Sequence, residues 1–121
     1  MRPVQIAVVE DHEGLRRALA QLLQASGHEV TSFASAEELL ESKECLRAGC
    51  LIVDVRLPGL SGFALRQRLA LEGSTLPVIY VTAHDDPAAR AQAAREDAAF
   101  LLKPVNREAL LAAIARAVGR S

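Results

Sequence analysis

Five short apolar runs punctuate the chain, and a helical pattern follows each of them. The runs are Ile6-Ala7-Val8-Val9, Val30-Thr31-Ser32-Phe33, Cys50-Leu51-Ile52-Val53, Val78-Ile79-Tyr80-Val81 and Phe100-Leu101-Leu102. The first, third and fourth are continuous and rich in β-branched residues, which suits strands buried on both faces. The second mixes apolar with hydroxyl residues and is expected nearer a sheet edge. Leu15, Ala18, Leu19, Leu22 and Leu23 recur at helical spacing, with Gly27 as a stop. Ser35-Ala36-Glu37-Glu38 reads as a capping box that opens a short helix carrying Leu39 and Leu40. Phe63, Leu65, Leu69 and Leu71 mark a third helix closed by Gly73, and Pro87 with the Ala-rich sequence to Arg95 marks a fourth. Asn106 caps a fifth, with Leu110, Leu111, Ile114 and Val118 on one face. Such alternation predicts a parallel sheet with helices on both faces.

At 121 residues the chain fits a single domain, expected to span residues 1–121. Gly59, Gly62 and Gly73, with Pro58 and Pro77, mark loops inside that domain and no boundary. Half of the residues are apolar, which is enough for one core and argues against disorder. Aromatics are 3% and Trp is absent, so the core is aliphatic and stacking-based recognition has few candidates. A net charge of −1 argues against direct nucleic-acid binding by this chain. No apolar run approaches the roughly 18 residues of a membrane span, and Met1-Arg2-Pro3 begins no signal-peptide layout. A cytoplasmic location is therefore expected. Cys45 and Cys50 have no second cysteine pair and no nearby His, so a zinc site is not expected. Cys50 reads as a small core residue and Cys45 as a free thiol.

Ligands of open parallel sheets bind at the carboxyl ends of the strands. The first run ends in Glu10-Asp11, the third in Asp54, the fourth in Thr82 and the fifth in Lys103, whereas the second contributes nothing polar. Clustered carboxylates repel one another unless a cation or a proton lies between them. An all-oxygen donor set suits Mg²⁺, which takes one or two carboxylates, keeps waters and accepts a phosphate oxygen. Lys103 can pair with a carboxylate at rest and with a phosphoryl group when one is present, and Thr82 can donate to that same group. A carboxylate beside a cation and an ammonium can act as a nucleophile towards phosphorus, giving an aspartyl phosphate.

The chain resembles the receiver domain of bacterial two-component response regulators over essentially its whole length. The matching residues are Glu10-Asp11, the Asp54-Val55-Arg56-Leu57-Pro58-Gly59 segment with Ser61-Gly62, Val81-Thr82-Ala83, and Lys103-Pro104. The resemblance implies a flavodoxin-like three-layer α/β/α sandwich with a five-stranded parallel sheet of order 2-1-3-4-5. It implies that Asp54 is the phospho-acceptor, in a reaction shared with Lys103 and Thr82. Mg²⁺, with Mn²⁺ as a substitute, would be held by Asp11, Asp54 and the backbone carbonyl of Arg56, with Glu10 assisting. Lys103, Thr82 and the Ala83 backbone N–H would hold the phosphoryl oxygens. The Lys103–Pro104 bond is expected to be cis. Thr82 and Phe100 would switch on phosphorylation, and Arg56 and His84 would flank the path of attacking water and set the phosphoryl lifetime. The implied donor is a histidine kinase or a histidine phosphotransfer protein. A homodimer through the fourth helix, fifth strand and fifth helix is a further implied contact. Such a chain phosphorylates and dephosphorylates itself and is no multiple-turnover metabolic enzyme.

Two features depart from the family pattern. Glu10 stands where Asp is commoner, and Arg95-Glu96-Asp97 lacks the Gly often found before the fifth strand. Other readings stay open at this stage. Glu10 and Asp11 could instead cap the first helix, and Phe100 could be plain core. His12, His28 and His84 read as solvated, and so does the Arg16-Arg17 pair, while Glu13, Leu15 and Arg17 are candidate partner contacts. A flavodoxin-type electron carrier would need a phosphate loop where Glu10-Asp11-His12-Glu13 stands. An aspartate-nucleophile phosphatase would want an acid at position 56, which is Arg. A degenerate receiver that only binds protein is the remaining alternative.

Overall fold

A computed structural model describes residues 3–42 and 48–119; Cys45 lies outside them. The strands are β1 (Gln5–Val9), β2 (Glu29–Phe33), β3 (Cys50–Asp54), β4 (Val78–Thr82) and β5 (Ala99–Leu102). The helices are α1 (Glu13–Ala25), α2 (Ala36–Glu41), α3 (Gly62–Leu71), α4 (Pro87–Arg95) and α5 (Arg107–Gly119). All strand pairs are parallel and the order is β2-β1-β3-β4-β5. This is the flavodoxin-like arrangement, with the mixed run β2 at one edge.

Successive strand residues point to opposite faces, and the core divides accordingly. Ala7, Val9, Leu51, Val53, Val78 and Tyr80 face Leu39 of α2, Leu65 and Leu69 of α3, and Ala89 and Ala93 of α4. Ile6, Val8, Cys50, Ile52, Ile79 and Val81 face Leu19 and Leu23 of α1 and Leu110 and Ile114 of α5. Cys50 is fully buried, and burial pushes its thiol up to about 12, so it acts as a small apolar residue. Leu71, two residues after buried Leu69, falls on the opposite side of α3 and is exposed.

The helix starts follow from side chains that satisfy otherwise orphaned N–H groups. His12, Ser35, Ser61, Asp86 and Asn106 accept from Leu15, Glu38, Ala64, Ala88 and Ala109. At α2 the reciprocal capping-box bond reaches one residue further back than expected: Glu38 accepts the Ala34 N–H. Glu37, beside it, accepts the Leu60 N–H at 2.9 Å from the loop after β3. Gly27 and Gly73 end their helices at φ of +93° and +87°. At the end of α4 this left-handed position is held by Asp97, at φ +56°. A short polar side chain tolerates that conformation better than most, so α4 stops at Arg95 without the usual Gly.

Two expectations are corrected. His28 is buried, because the turn at Gly27 folds it under the sheet edge, where its Nδ1 accepts the Val4 N–H at 3.1 Å. Arg16 is half-buried, and its Nη1 donates to the Glu10 carbonyl at 2.9 Å.

On the α3/α4 side, Tyr80 packs its ring on Phe63 at 4.5 Å and donates its hydroxyl to the carboxylate of Glu96. Arg66 pairs with that carboxylate at 3.3 Å, and Gln92 donates to it at 2.9 Å. Burial, followed by the bond to Glu96, raises the Tyr80 phenol above its usual range. Among the described residues no helix is long and apolar enough to cross a membrane.

Gly62 opens α3 directly against β3: a Cβ there would lie 2.5 Å from the carbonyl oxygen of Asp54. Backbone cannot yield as a flexible side chain can. Gly62→Ala is expected to cost about 1–3 kcal/mol, read as a lower urea midpoint with an unchanged m-value.

Candidate phosphoryl site at the carboxyl edge of the sheet

Parallel pairing brings the ends of β1, β3, β4 and β5 to one edge, and the polar residues that follow these strands meet there. Asp54, the last residue of β3, is 5% exposed. Its Oδ1 accepts the Arg56 N–H at 2.9 Å, and its Oδ2 accepts from Lys103 Nζ at 2.6 Å. Glu10 is 1% exposed and accepts the His12 N–H at 3.0 Å through Oε2. Its Oε1 lies 2.7 Å from Lys103 Nζ, yet makes no well-formed hydrogen bond. The contact is an ion pair by distance, with the oxygen's lone pairs poorly used. Asp11 is exposed at the rim.

Lys103 follows β5 and donates its N–H to the Thr82 carbonyl at 2.8 Å, which fixes it beside β4. The Lys103–Pro104 peptide is cis. Partial burial works against the ammonium's charge, but the hydrogen bond to Asp54 and the negative charges of Asp54 and Glu10 outweigh it and hold the group above the usual lysine value. Thr82 is buried, and its Oγ1 accepts the His84 N–H at 3.3 Å. Ala83, His84 and Arg56 are exposed around the rim. Phe100 lies on β5, half-buried, opposite Tyr80 in the β4–β5 register.

Neither Glu10 nor Asp11 caps α1, since His12 does so. Glu10, Asp11 and Asp54 each offer an oxygen within 4.8 Å of one another. An all-oxygen set of three carboxylates, one with a buried oxygen short of hydrogen bonds, fits a hard divalent cation.

Sequence reasoning missed three neighbours of this site. Arg16 anchors the Glu10 carbonyl from α1. Arg90 lays its guanidinium over the Phe100 ring at 4.8 Å and is held there by Asp85 through bonds of 3.2 and 2.9 Å. Glu37 reaches the loop after Asp54. For Arg16 a signal existed, because the first turn of a helix after a buried strand faces that strand's end. The Arg90 contact depends on how α4 packs against β5, and the Glu37 contact joins elements distant in sequence. A separate concavity of about 460 Å³ lies at the other end of β4 and β5, between Arg66, Pro77, Glu96 and Ala117, away from Glu10, Asp11 and Asp54.

The fold and this edge define a two-component signalling domain, and the chain belongs to the response regulator receiver domain family, which matches residues 6–115. It is 38% identical over 117 residues to the transcriptional regulatory protein FixJ of Azorhizobium caulinodans, covering 96% of this chain and 56% of that protein. It is 40% identical over 116 residues to nodulation protein W of Bradyrhizobium diazoefficiens, covering 95% and 51%. The crystal structure of FixJ-N superposes with a TM-score of 0.89 at 31% identity, over 100% of this chain and 98% of that one. The response regulator StyR gives 0.88 at 34% identity, over 98% and 61%. The chain thus spans about half the length of these curated relatives.

Lys103 neutralises two carboxylates that are otherwise almost wholly buried. Lys103→Met is expected to lower stability at pH 7 by about 2 kcal/mol, the order of a charged hydrogen bond lost at a partly buried site. Because the folded protein holds the Lys103 proton more tightly than the unfolded chain does, this contribution is complete below pH 10.5 and fades as pH rises through the folded value. Urea unfolding of parent and variant from pH 7 to 11 should show the gap closing at the alkaline end.

Proposed function

We propose that this chain is a phospho-acceptor switch, and the observation that carries the reading is the Lys103 ammonium held between Asp54 at 2.6 Å and Glu10 at 2.7 Å, with Asp11 beside them. Asp54 is the nucleophile. A carboxylate oxygen attacks the phosphorus of a phosphohistidine on a histidine kinase or histidine phosphotransfer protein. The P–N bond breaks, its electron pair stays on the imidazole, and Asp54 carries the acyl phosphate until water attacks the phosphorus. Glu10, Asp11, Asp54 and the Arg56 carbonyl would hold Mg²⁺ or Mn²⁺, which supplies charge neutralisation for the incoming phosphoryl oxygens.

This chain's own groups do the rest. Lys103, paired with carboxylates at rest, turns its charge to the phosphoryl oxygens. The Thr82 hydroxyl, now an acceptor for the His84 N–H, presents its proton to one of them, and the Ala83 N–H serves another. Phe100 rearranges behind Thr82, so the chemistry at Asp54 alters the surface of α4, β5 and α5, where a homodimer or other partner would read it. FixJ is named a transcriptional regulatory protein; a comparable output here would act through another domain or a partner, since this chain's net charge of −1 does not suit DNA contact.

Incubation with acetyl phosphate and Mg²⁺ should add one phosphoryl mass to the intact protein. Asp54→Asn should stay unmodified, and so should the parent after chelation of the metal. A parent that binds Mg²⁺ yet never gains the mass would refute the reading. Arg56→Ala and His84→Ala should each change the half-life of the phosphorylated form about threefold, less than the tenfold that 1.4 kcal/mol would give, while leaving Mg²⁺ affinity near parental. Equal half-lives would remove both residues from the water path.

A further inference from the structure

Between Asp54 and the first turn of α3 the chain crosses a loop, 55–61, that bears directly on the site. Its two ends are tied by the chain itself. The Val55 N–H donates to the Val81 carbonyl at 3.1 Å, the Gly62 N–H donates to the Val55 carbonyl at 3.0 Å, and Arg56 donates to Asp54. Its far bend is tied from a neighbouring helix. The Glu37 carboxylate, on the first turn of α2, accepts the Leu60 N–H at 2.9 Å, across 23 residues of sequence.

The bend is shaped around that carboxylate. Gly59 sits at φ +76°, and a Cβ there would lie 2.5 Å from Glu37 Oε2. The carboxylate therefore occupies the space a side chain would take. The bond to Leu60, helped by Glu37's own N–H, holds the Glu37 carboxyl below its usual range. The α2 end of the tie is firm, because Ala36 and Leu39 on either side of Glu37 are fully buried. Both pack in the same core cluster as Val53 and Val55, with Leu57 and Leu60 of the loop against it.

We propose that Glu37 is a positioning residue for the acceptor loop: by clasping Leu60 it holds residues 55–61 on the course that directs the Arg56 carbonyl and the Asp54 carboxylate into the shared site. The inference rests on the phospho-acceptor reading for its purpose, but its geometry is independent of that reading. Glu37 touches no reacting atom, and its effect passes through the loop backbone.

Amide exchange followed by NMR tests the clasp in the protein alone. Glu37→Ala should speed exchange at Leu60 roughly tenfold or more, the order of one hydrogen bond to a charged group, and should also speed exchange at Arg56. A Mg²⁺ titration should show affinity weakened about threefold, with the urea midpoint close to parental. Glu37→Gln keeps an oxygen that can accept the same bond and should stay within about twofold of the parent in both readouts. Release of the Leu60 amide with Arg56 exchange and Mg²⁺ affinity unchanged would overturn the proposal. So would a Glu37→Gln variant indistinguishable from Glu37→Ala. Failure of acetyl phosphate to modify Asp54 would remove the phospho-acceptor reading, while the exchange data would still decide whether Glu37 governs the loop.

Discussion

The ammonium of Lys103 is the interaction on which the carboxyl edge of the sheet depends. It meets Asp54 and Glu10 within 2.7 Å, and without a cation these two carboxylates would face each other with little solvent between them. The arrangement joins the ends of β1, β3 and β5 through one charge, and β4 enters through the Thr82 carbonyl that fixes the Lys103 backbone. A single ammonium shared between two acids also has an inherent instability of purpose. Any group that brings oxygen anions to Lys103, or positive charge to the acids, competes directly with the resting pairs. A resting state that is satisfied and yet displaceable is what a switch requires.

Everything else at this edge is a matter of holding backbone in place. Parallel register fixes which residues end level with one another, and the close approach of Gly62 to the Asp54 carbonyl lets α3 begin immediately over β3. Arg16 secures the Glu10 carbonyl from α1, and Glu37 secures the far bend of the acceptor loop from α2. Helices on both faces of the sheet thus reach towards the same few residues. The groups expected to react are supported mainly by N–H and C=O contacts, which change little with the chemistry of neighbouring side chains.

Much of this was legible in the sequence because it rests on local pattern. Continuous β-branched runs identify β1, β3 and β4 as buried on both faces, and the mixed composition of β2 places it at an edge. The polar residues at the strand ends identify the site once the sheet is known to be parallel. Capping residues mark where helices begin. What pattern cannot carry is pairing across the fold. Nothing near His28 announces that its imidazole accepts the Val4 N–H, and nothing near Glu37 points to a loop more than twenty residues away. The missing Gly before β5 was visible as an omission, but only the backbone shows that Asp97 takes its left-handed place.

The aliphatic core has one further consequence. With a single tyrosine and no tryptophan in the chain, near-ultraviolet absorbance and intrinsic fluorescence report almost entirely on one ring. That ring belongs to Tyr80, packed at a tilt against Phe63 and bonded through its hydroxyl to Glu96 at the end of α4. Light absorbed by this protein is therefore a gauge of the seam between β4 and α4, two residues along the strand from Thr82. A movement of α4 that loosened the Glu96 carboxylate would appear as a spectral change without any label attached.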